Sequence, residues 1–234
     1  MNRNEEISQN LNAVSERVMR AAEIAERDPG DITLVVVSKN FPVSDAQVLY
    51  DLGVRHLGEN RDQEGALKSE QLPADTIWHF QGEIQGRKIK SIASWADCIH
   101  SLDSLDHARK FDGAEHLSSS GTGRNKEFFV QVNLEPQRVD RGGVPIAELD
   151  EFLHILFSET RLAPIGLMTV APQNMEPTKA FSKLQELRDD RVTKYPSLAG
   201  LSMGMSGDFE AAILCGATHI RVGSSILGSR GLAV

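Results

Sequence analysis

Cysteine is nearly missing from this chain. Cys98 and Cys215 stand far apart, so neither a disulfide framework nor a CxxC metal pair can be built. A reducing compartment, and with it a cytoplasmic location, is the expectation. Long apolar runs are missing as well. None approaches the roughly 18 residues of a membrane span, and the opening MNRNEEISQN lacks the apolar stretch of a signal peptide. Positive charge is in deficit, with 25 Lys and Arg against 33 Asp and Glu, a net charge of −8. Such a surface repels nucleic-acid phosphates and anionic membranes, so neither is expected as a partner. What the 234 residues do carry is 40% hydrophobic and 25% charged. That is the balance of a globular protein, with length enough to bury a full core.

Residues 4–26 read as an amphipathic helix. Ile7, Leu11, Val14, Val18, Ala22 and Ala25 recur in steps of three and four, and Pro29-Gly30 stops the pattern. Ile32 to Val37 is then a short, continuously apolar run, as in a strand covered on both faces. From there one motif repeats: short apolar run, polar turn, helical stretch. The strands fall at 32–37, 54–58, 76–80, 97–100, 127–133, 163–168, 199–202 and 218–222. The helices lie near 44–52, 60–70, 83–94, 104–115, 147–158, 175–190 and 207–215. Strands alternating with helices imply parallel pairing and right-handed crossovers. Eight such units predict an α/β fold, a single (β/α)8 TIM barrel over 1–234 with an extra N-terminal helix. An open doubly wound sheet is the alternative. The patch Ser118-Ser119-Ser120-Gly121-Thr122-Gly123 reads as a mobile loop.

Barrel chemistry sits at the C-terminal ends of the strands, and polar, reactive types collect there. The first strand is followed by Ser38-Lys39-Asn40, the second by Gly58-Glu59-Asn60, and the third ends in Trp78-His79-Phe80-Gln81-Gly82. Lys39 at a barrel mouth can be desolvated, which lowers a lysine pKa and yields an amine that attacks aldehydes. The competing reading is a lysine that snorkels to solvent. After the seventh strand, Ser206 can cap the helix at 207–215, and Gly223-Ser224-Ser225 opens a second short helical turn. Glycine and serine at helix N-termini bind phosphate through free N–H groups, and a phosphate site after strands seven and eight is common in barrels. Two ordinary capped turns are the alternative. Arg221, beside these turns, is either the partner of a carboxylate or a donor to a ring nitrogen or substrate anion. An amine, a phosphate loop and an arginine together describe pyridoxal 5′-phosphate (PLP): an aldehyde, a phosphate and a ring nitrogen.

Several blocks resemble the YggS-like PLP-homeostasis proteins. They are Leu34-Val35-Val36-Val37-Ser38-Lys39, Leu57-Gly58-Glu59-Asn60, Trp78-His79-Phe80-Gln81-Gly82, Gly166-Leu167-Met168-Thr169, the run Leu201 to Phe209, and Arg221-Val222-Gly223-Ser224. They span residues 34 to 228 in family order. The family is similar in fold to the N-terminal barrel of alanine racemase and eukaryotic ornithine decarboxylase. The resemblance implies that Lys39 carries PLP as a Schiff base. It implies that Ser206, Gly207, Gly223 and Ser224 hold the phosphate and that Arg221 faces the pyridine nitrogen. It places Asn60 near the ring and Met203 beside the cofactor, and it assigns His79 no role. Two loops depart from the family pattern, at Ile84-Gln85-Gly86-Arg87-Lys88 and Arg141-Gly142-Gly143. Both leave the cofactor set intact.

Cofactor binding alone does not imply turnover. The related racemases take their second acid/base, a tyrosine, from a separate β domain. That domain is expected to be absent from a chain ending at Val234. Tyr50 and Tyr195 fall where neither should reach the cofactor, and Cys98 and Cys215 are poorly placed. An arginine stays protonated, so the ring nitrogen facing it stays unprotonated and becomes a weaker electron sink. The expectation is a PLP carrier or regulator in vitamin B6 homeostasis. It would be monomeric and would make transient contact with PLP-dependent apoenzymes. The alternatives are a PLP-dependent amino-acid racemase or lyase using His79 or His100, and a Schiff-base aldolase that uses Lys39 without PLP.

Overall fold

The computed structural model describes residues 2–115, 126–135, 137 and 141–228. The Ser118–Gly123 patch lies outside the described residues. Helix α1 (Arg3–Ile24) starts at a capping box: Asn2 Oδ1 accepts from the Glu5 N–H at 2.9 Å, and Glu5 Oε2 accepts from the Asn2 N–H at 3.0 Å. There follow β1 (Thr33–Val37), α2 (Val43–Asp51), β2 (His56–Glu59), α3 (Asp62–Gln71), β3 (Ile77–Phe80), α4 (Ile89–Trp95), β4 (Cys98–Leu102), α5 (Leu105–Glu115) and β5 (Glu127–Asn133). The chain continues through β6 (Val144–Pro145), α6 (Leu149–Glu159), β7 (Gly166–Met168), α7 (Pro177–Val192), β8 (Gly200–Ser202), α8 (Phe209–Leu214), β9 (His219–Val222) and α9 (Ser224–Leu227).

Eight of these strands pair in parallel in the cyclic order β1-β2-β3-β4-β5-β7-β8-β9 and back to β1. The fold is therefore the closed (β/α)8 barrel, not the open sheet. The strand β6 adds two residues beside β5, pairing Val144 with Val132. It is too short to carry a hydrophobic period and went unpredicted. The strand expected at 163–168 begins only at Gly166, because Pro164 has no N–H to give a ladder. The helix expected at 83–94 splits into a 3-10 turn at Gly86–Lys88 and then α4.

A full barrel has a helix after its last strand, but α9 is one turn. Helix α1 packs against α2, α8 and α9 and fills that slot. It also holds α9 directly: Arg3 Nη2 donates to Leu227 O at 2.9 Å and Asn10 Nδ2 to Ile226 O at 3.0 Å. The N-terminal helix thus steadies the turn that follows β9.

The pleat sorts side chains into two populations. Trp78, Phe80, Ile99, Phe128, Leu201 and Ile220 point outward and join Leu49, Phe111, Phe181 and Phe209 of the helices in one apolar core. Between them, His79, His100, Ser202 and Arg221 are buried inside the barrel. Cys98, Phe129 and Met168 form a small separate apolar cluster there.

Candidate functional site

The turn after β1 is fixed from below. Ser38 is fully buried, and its Oγ donates to Glu59 Oε1 at 2.7 Å. Lys68, reaching in from α3, donates to the same Oε1 at 2.5 Å and to Ser38 O at 2.8 Å. Burial pushes the Glu59 carboxyl up, and the bonds from Lys68 and Ser38 oppose that shift. Asn40 follows with φ 61°, a left-handed conformation that asparagine tolerates. Its N–H donates to Glu64 Oε2 at 2.8 Å. This turn presents the half-buried Lys39 to a cavity at the C-terminal mouth of the barrel.

The next two loops touch backbone to backbone. A Cβ on Gly82 would lie 2.0 Å from Asn60 O, so only glycine fits. That approach brings Asn60 and Gln81 to the same cavity wall. Asn60 Oδ1 and Gln81 Nε2 are buried there with no partner among the described residues. A buried acceptor or donor left unmade costs about 1–3 kcal/mol, and the two amide side chains make this wall of the cavity polar.

After β8 the chain turns at Gly204, with φ 90° and a would-be Cβ 2.6 Å from Ala212 Cβ. Met205 N then donates to Asp208 Oδ1 at 2.6 Å. Ser206 does not cap α8, as the sequence suggested. Its Oγ accepts from the Gly223 and Ser225 N–H groups, each at 3.3 Å, and so caps α9 instead. The β8 and β9 turns are thereby joined into one lip. Arg221 donates Nη1 to Ser202 Oγ at 2.7 Å and Nη2 to Thr169 O at 2.9 Å. Its hydrogen-bond partners are a hydroxyl and a carbonyl, not the carboxylate of the alternative reading. Burial lowers its pKa to about 10, against an opposing field from Asp208, so it stays protonated at neutral pH.

The cavity measures about 680 Å³, the size of a small-molecule site. Lys39, Asn60 and Arg221 line its floor and walls; Ser206, Gly207, Gly223 and Ser224 line its lip. Met203 does not line it. That side chain is fully buried in the apolar core, and the methionines on the cavity are Met168 and Met205. Sequence reasoning left out Gln81, although its place between His79-Phe80 and Gly82 at a strand end marked it as a rim residue.

Among the described residues lining the cavity, Lys39 and Arg221 are the only titratable ones. Tyr50 is spent outside on Asp75, its hydroxyl donating to Oδ1 at 2.6 Å. The Tyr195 ring stacks on Phe157. His79 and His100 are buried inside the barrel and do not line the cavity.

The residues fit a phosphorylated aldehyde. One amine is presented at the wall and a guanidinium lies across the cavity. Gly207 borders open space, since an added Cβ there meets no protein atom within 4 Å. Asn60 and Gln81, each with one buried polar atom unpartnered among the described residues, line the same volume.

Residues 9–231 match the family of the alanine racemase N-terminal domain. A pyridoxal phosphate homeostasis protein of Mycobacterium leprae is 35% identical over 242 residues, covering 97% of this chain and 93% of that one. The protein of that name from Escherichia coli is 32% identical, covering 96% of this chain and 97% of its own. Among solved structures, PipY of Synechococcus elongatus with PLP bound superposes with a TM-score of 0.76 at 32% identity, covering 91% of this chain and all of that one. An alanine racemase of Clostridium difficile shares the fold, with a TM-score of 0.70 at 16% identity, over 98% of this chain but 58% of its own.

Proposed function

The chain belongs to the alanine racemase N-terminal domain family, and from that premise we propose that it binds PLP at the barrel mouth and acts in intracellular PLP homeostasis. It does so as a carrier or regulator. The cavity chemistry carries this reading: one amine, one guanidinium, and no second acid or base among the described lining residues.

Lys39 makes the covalent link. Ser206, Gly207, Gly223 and Ser224 hold the phosphate, and Arg221 faces the ring nitrogen. Asn60 and Gln81 form the polar wall beside the bound group. PLP supplies an aldehyde that condenses reversibly with amines, which suits uptake and delivery. The buried Glu59–Lys68 pair keeps the Lys39 turn rigid from below. Arg221 cannot give up a proton to the ring, so the site is biased against strong carbanion chemistry. The lip residues Met205, Gly207 and Ser224 are exposed, leaving the site open to solvent where water-excluding catalysis would close it. A racemase or lyase would need an acid/base opposite Lys39, and Tyr50, Tyr195, His79 and His100 all lie elsewhere. We further assign the protein to the cytoplasm, as a single-domain monomer that meets PLP-dependent apoenzymes transiently. No described helix is long and apolar enough to cross a membrane.

The test is an absorption spectrum with added PLP, then borohydride reduction and peptide mapping. A yellow protein with a reduced pyridoxyl adduct on Lys39, lost in Lys39→Ala, is the expected result. A protein that stays colourless overturns the reading and favours a PLP-independent aldolase. Steady-state racemase or lyase turnover well above that of free PLP overturns the carrier role.

A further inference from the structure

Four polar side chains inside the barrel form a continuous chain behind Arg221. Ser202 Oγ accepts from Arg221 Nη1 at 2.7 Å and lies 2.7 Å from His100 Nδ1. His100 Nε2 lies 2.8 Å from His79 Nδ1, and His79 Nε2 lies 2.9 Å from His56 Nδ1. Five residues from β9, β8, β4, β3 and β2 thus connect the cavity to His56. His56 opens β2 at the opposite end of the barrel and is half-buried.

The direction of the chain follows from counting protons. Arg221 can only donate. The Ser202 hydroxyl lies within bonding distance of two groups, Arg221 Nη1 and His100 Nδ1, so its own hydrogen must go to His100 Nδ1. His100 then carries its proton on Nε2 and donates to His79 Nδ1. His79 in turn carries its proton on Nε2 and donates to His56 Nδ1, leaving the His56 proton on Nε2. His79 and His100 each use one ring nitrogen as donor and the other as acceptor, which requires both to be neutral. Burial holds His79 and His100 well below their ordinary pKa, and His219, packed against both rings, is lowered to about 4.

His79, Cys98 and His100 could be mistaken for a metal site, because their ligand atoms cluster within 4.8 Å. Two nitrogens on a tetrahedral zinc stand about 3.3 Å apart at ordinary bond lengths. The 2.8 Å between His79 and His100 is instead a hydrogen bond. The Cys98 sulfur, 3.4 Å from His100 Nε2, remains a thiol because burial pushes its pKa up. It therefore adds a weak second acceptor for the same proton.

We propose that Ser202, His100, His79 and His56 form a one-directional hydrogen-bond relay of fixed tautomers. In this relay Ser202 and His100 are positioning residues for Arg221. The relay holds the guanidinium by a hydroxyl whose lone pair is always turned towards it, with no carboxylate behind. Its consequence for the cofactor rests on the reading that Arg221 faces the PLP ring nitrogen. The relay itself does not depend on PLP.

The experiment uses the full chain labelled with 15N in histidine and arginine, first without PLP. Long-range nitrogen–proton correlations should place the proton of His79 and of His100 on Nε2. A proton on Nδ1 of either overturns the relay. In His56→Ala both should keep their Nε2 protons, because direction is set at the Ser202 end; reversal there also overturns it. In Ser202→Ala the resolved Nη signals of Arg221 should collapse and the Kd for PLP should weaken roughly tenfold, the loss of one bond to a charged group. Ser202→Thr, which keeps the hydroxyl, should restore both. Unchanged Arg221 signals in Ser202→Ala overturn the positioning role. A protein with the stated tautomers that fails to bind PLP overturns the proposed function and leaves the relay standing.

Discussion

The space between strands and helices and the space inside the barrel are built from the same strands, yet in opposite chemistries. Outside the strands, aromatic and branched side chains pack into one apolar core. Inside, where barrels commonly stack layers of Val, Ile and Leu, this one buries two histidines, a serine and an arginine, with the half-buried His219 against them, beside a cluster of Cys98, Phe129 and Met168. The pleat alone separates them: Trp78 out, His79 in, Phe80 out; Ile220 out, Arg221 in, Val222 out. The main apolar core lies on the outer face of the strands and the wiring of the site on the inner one, so the outer packing can be broken without touching the site.

The largest effects belong to the outer layer and to the buried ion pair. Phe181→Ala, at a fully buried position on α7, should cost about 3–5 kcal/mol in urea denaturation while PLP affinity in the folded fraction stays put. A loss of affinity there would show that the two regions are coupled. Lys68→Met should cost a similar 3–5 kcal/mol, because it strands the Glu59 charge. Burial raises the folded pKa of Glu59. The stability of Lys68→Met should therefore be intact at low pH, where Glu59 is neutral, and be lost as pH rises through that raised value. Denaturation midpoints that are flat with pH would contradict this.

The outer layer was the legible part. Strands covered on both sides read as short apolar runs, and their alternation with helices gave the barrel as the expectation; the pairing of β1 with β9 decides it against the open sheet. Lys39 and the glycine-serine lip were legible because strand ends and helix starts are local features. What escaped depended on contacts across strands. Ser206 sits one turn from α8 in sequence but bonds α9, which β9 brings alongside. Met203 and Met205 differ by two positions, and only the Gly204 turn decides which meets the cavity. The relay was least visible of all. His79 and His100 showed up as separate residues at strand ends, and their bond depends on the way β3 lies beside β4.

Acid should separate the two regions more gently. The unfolded chain takes up protons on His79 and His100 below about pH 6.5, whereas burial keeps both neutral in the folded barrel. Their folded pKa values are depressed, so the stability they confer is present above 6.5 and drains as pH falls, by about 1.4 kcal/mol per pH unit for each. His100→Gln removes one of the two. Its stability should fall less steeply than wild type between pH 6 and 5, by about that slope. Parallel curves would mean that His100 is protonated inside the barrel, contrary to the relay.

The smallest effect should come where the cavity meets solvent. Met168 and Met205 both line it, but Met168 is buried in the inner cluster and Met205 is 40% exposed on the lip. Met205→Ala leaves no cavity, since water already reaches the side chain, and should change stability by no more than about 0.5 kcal/mol. Met168→Ala deletes packing against Cys98 and Phe129 and falls in the range of about 2–5 kcal/mol for a buried site. The pair holds residue type and ligand constant and varies only depth along the barrel axis. Equal losses for the two would show that the lip is as tightly packed as the interior, and an open mouth suited to handing over a cofactor would have to be abandoned.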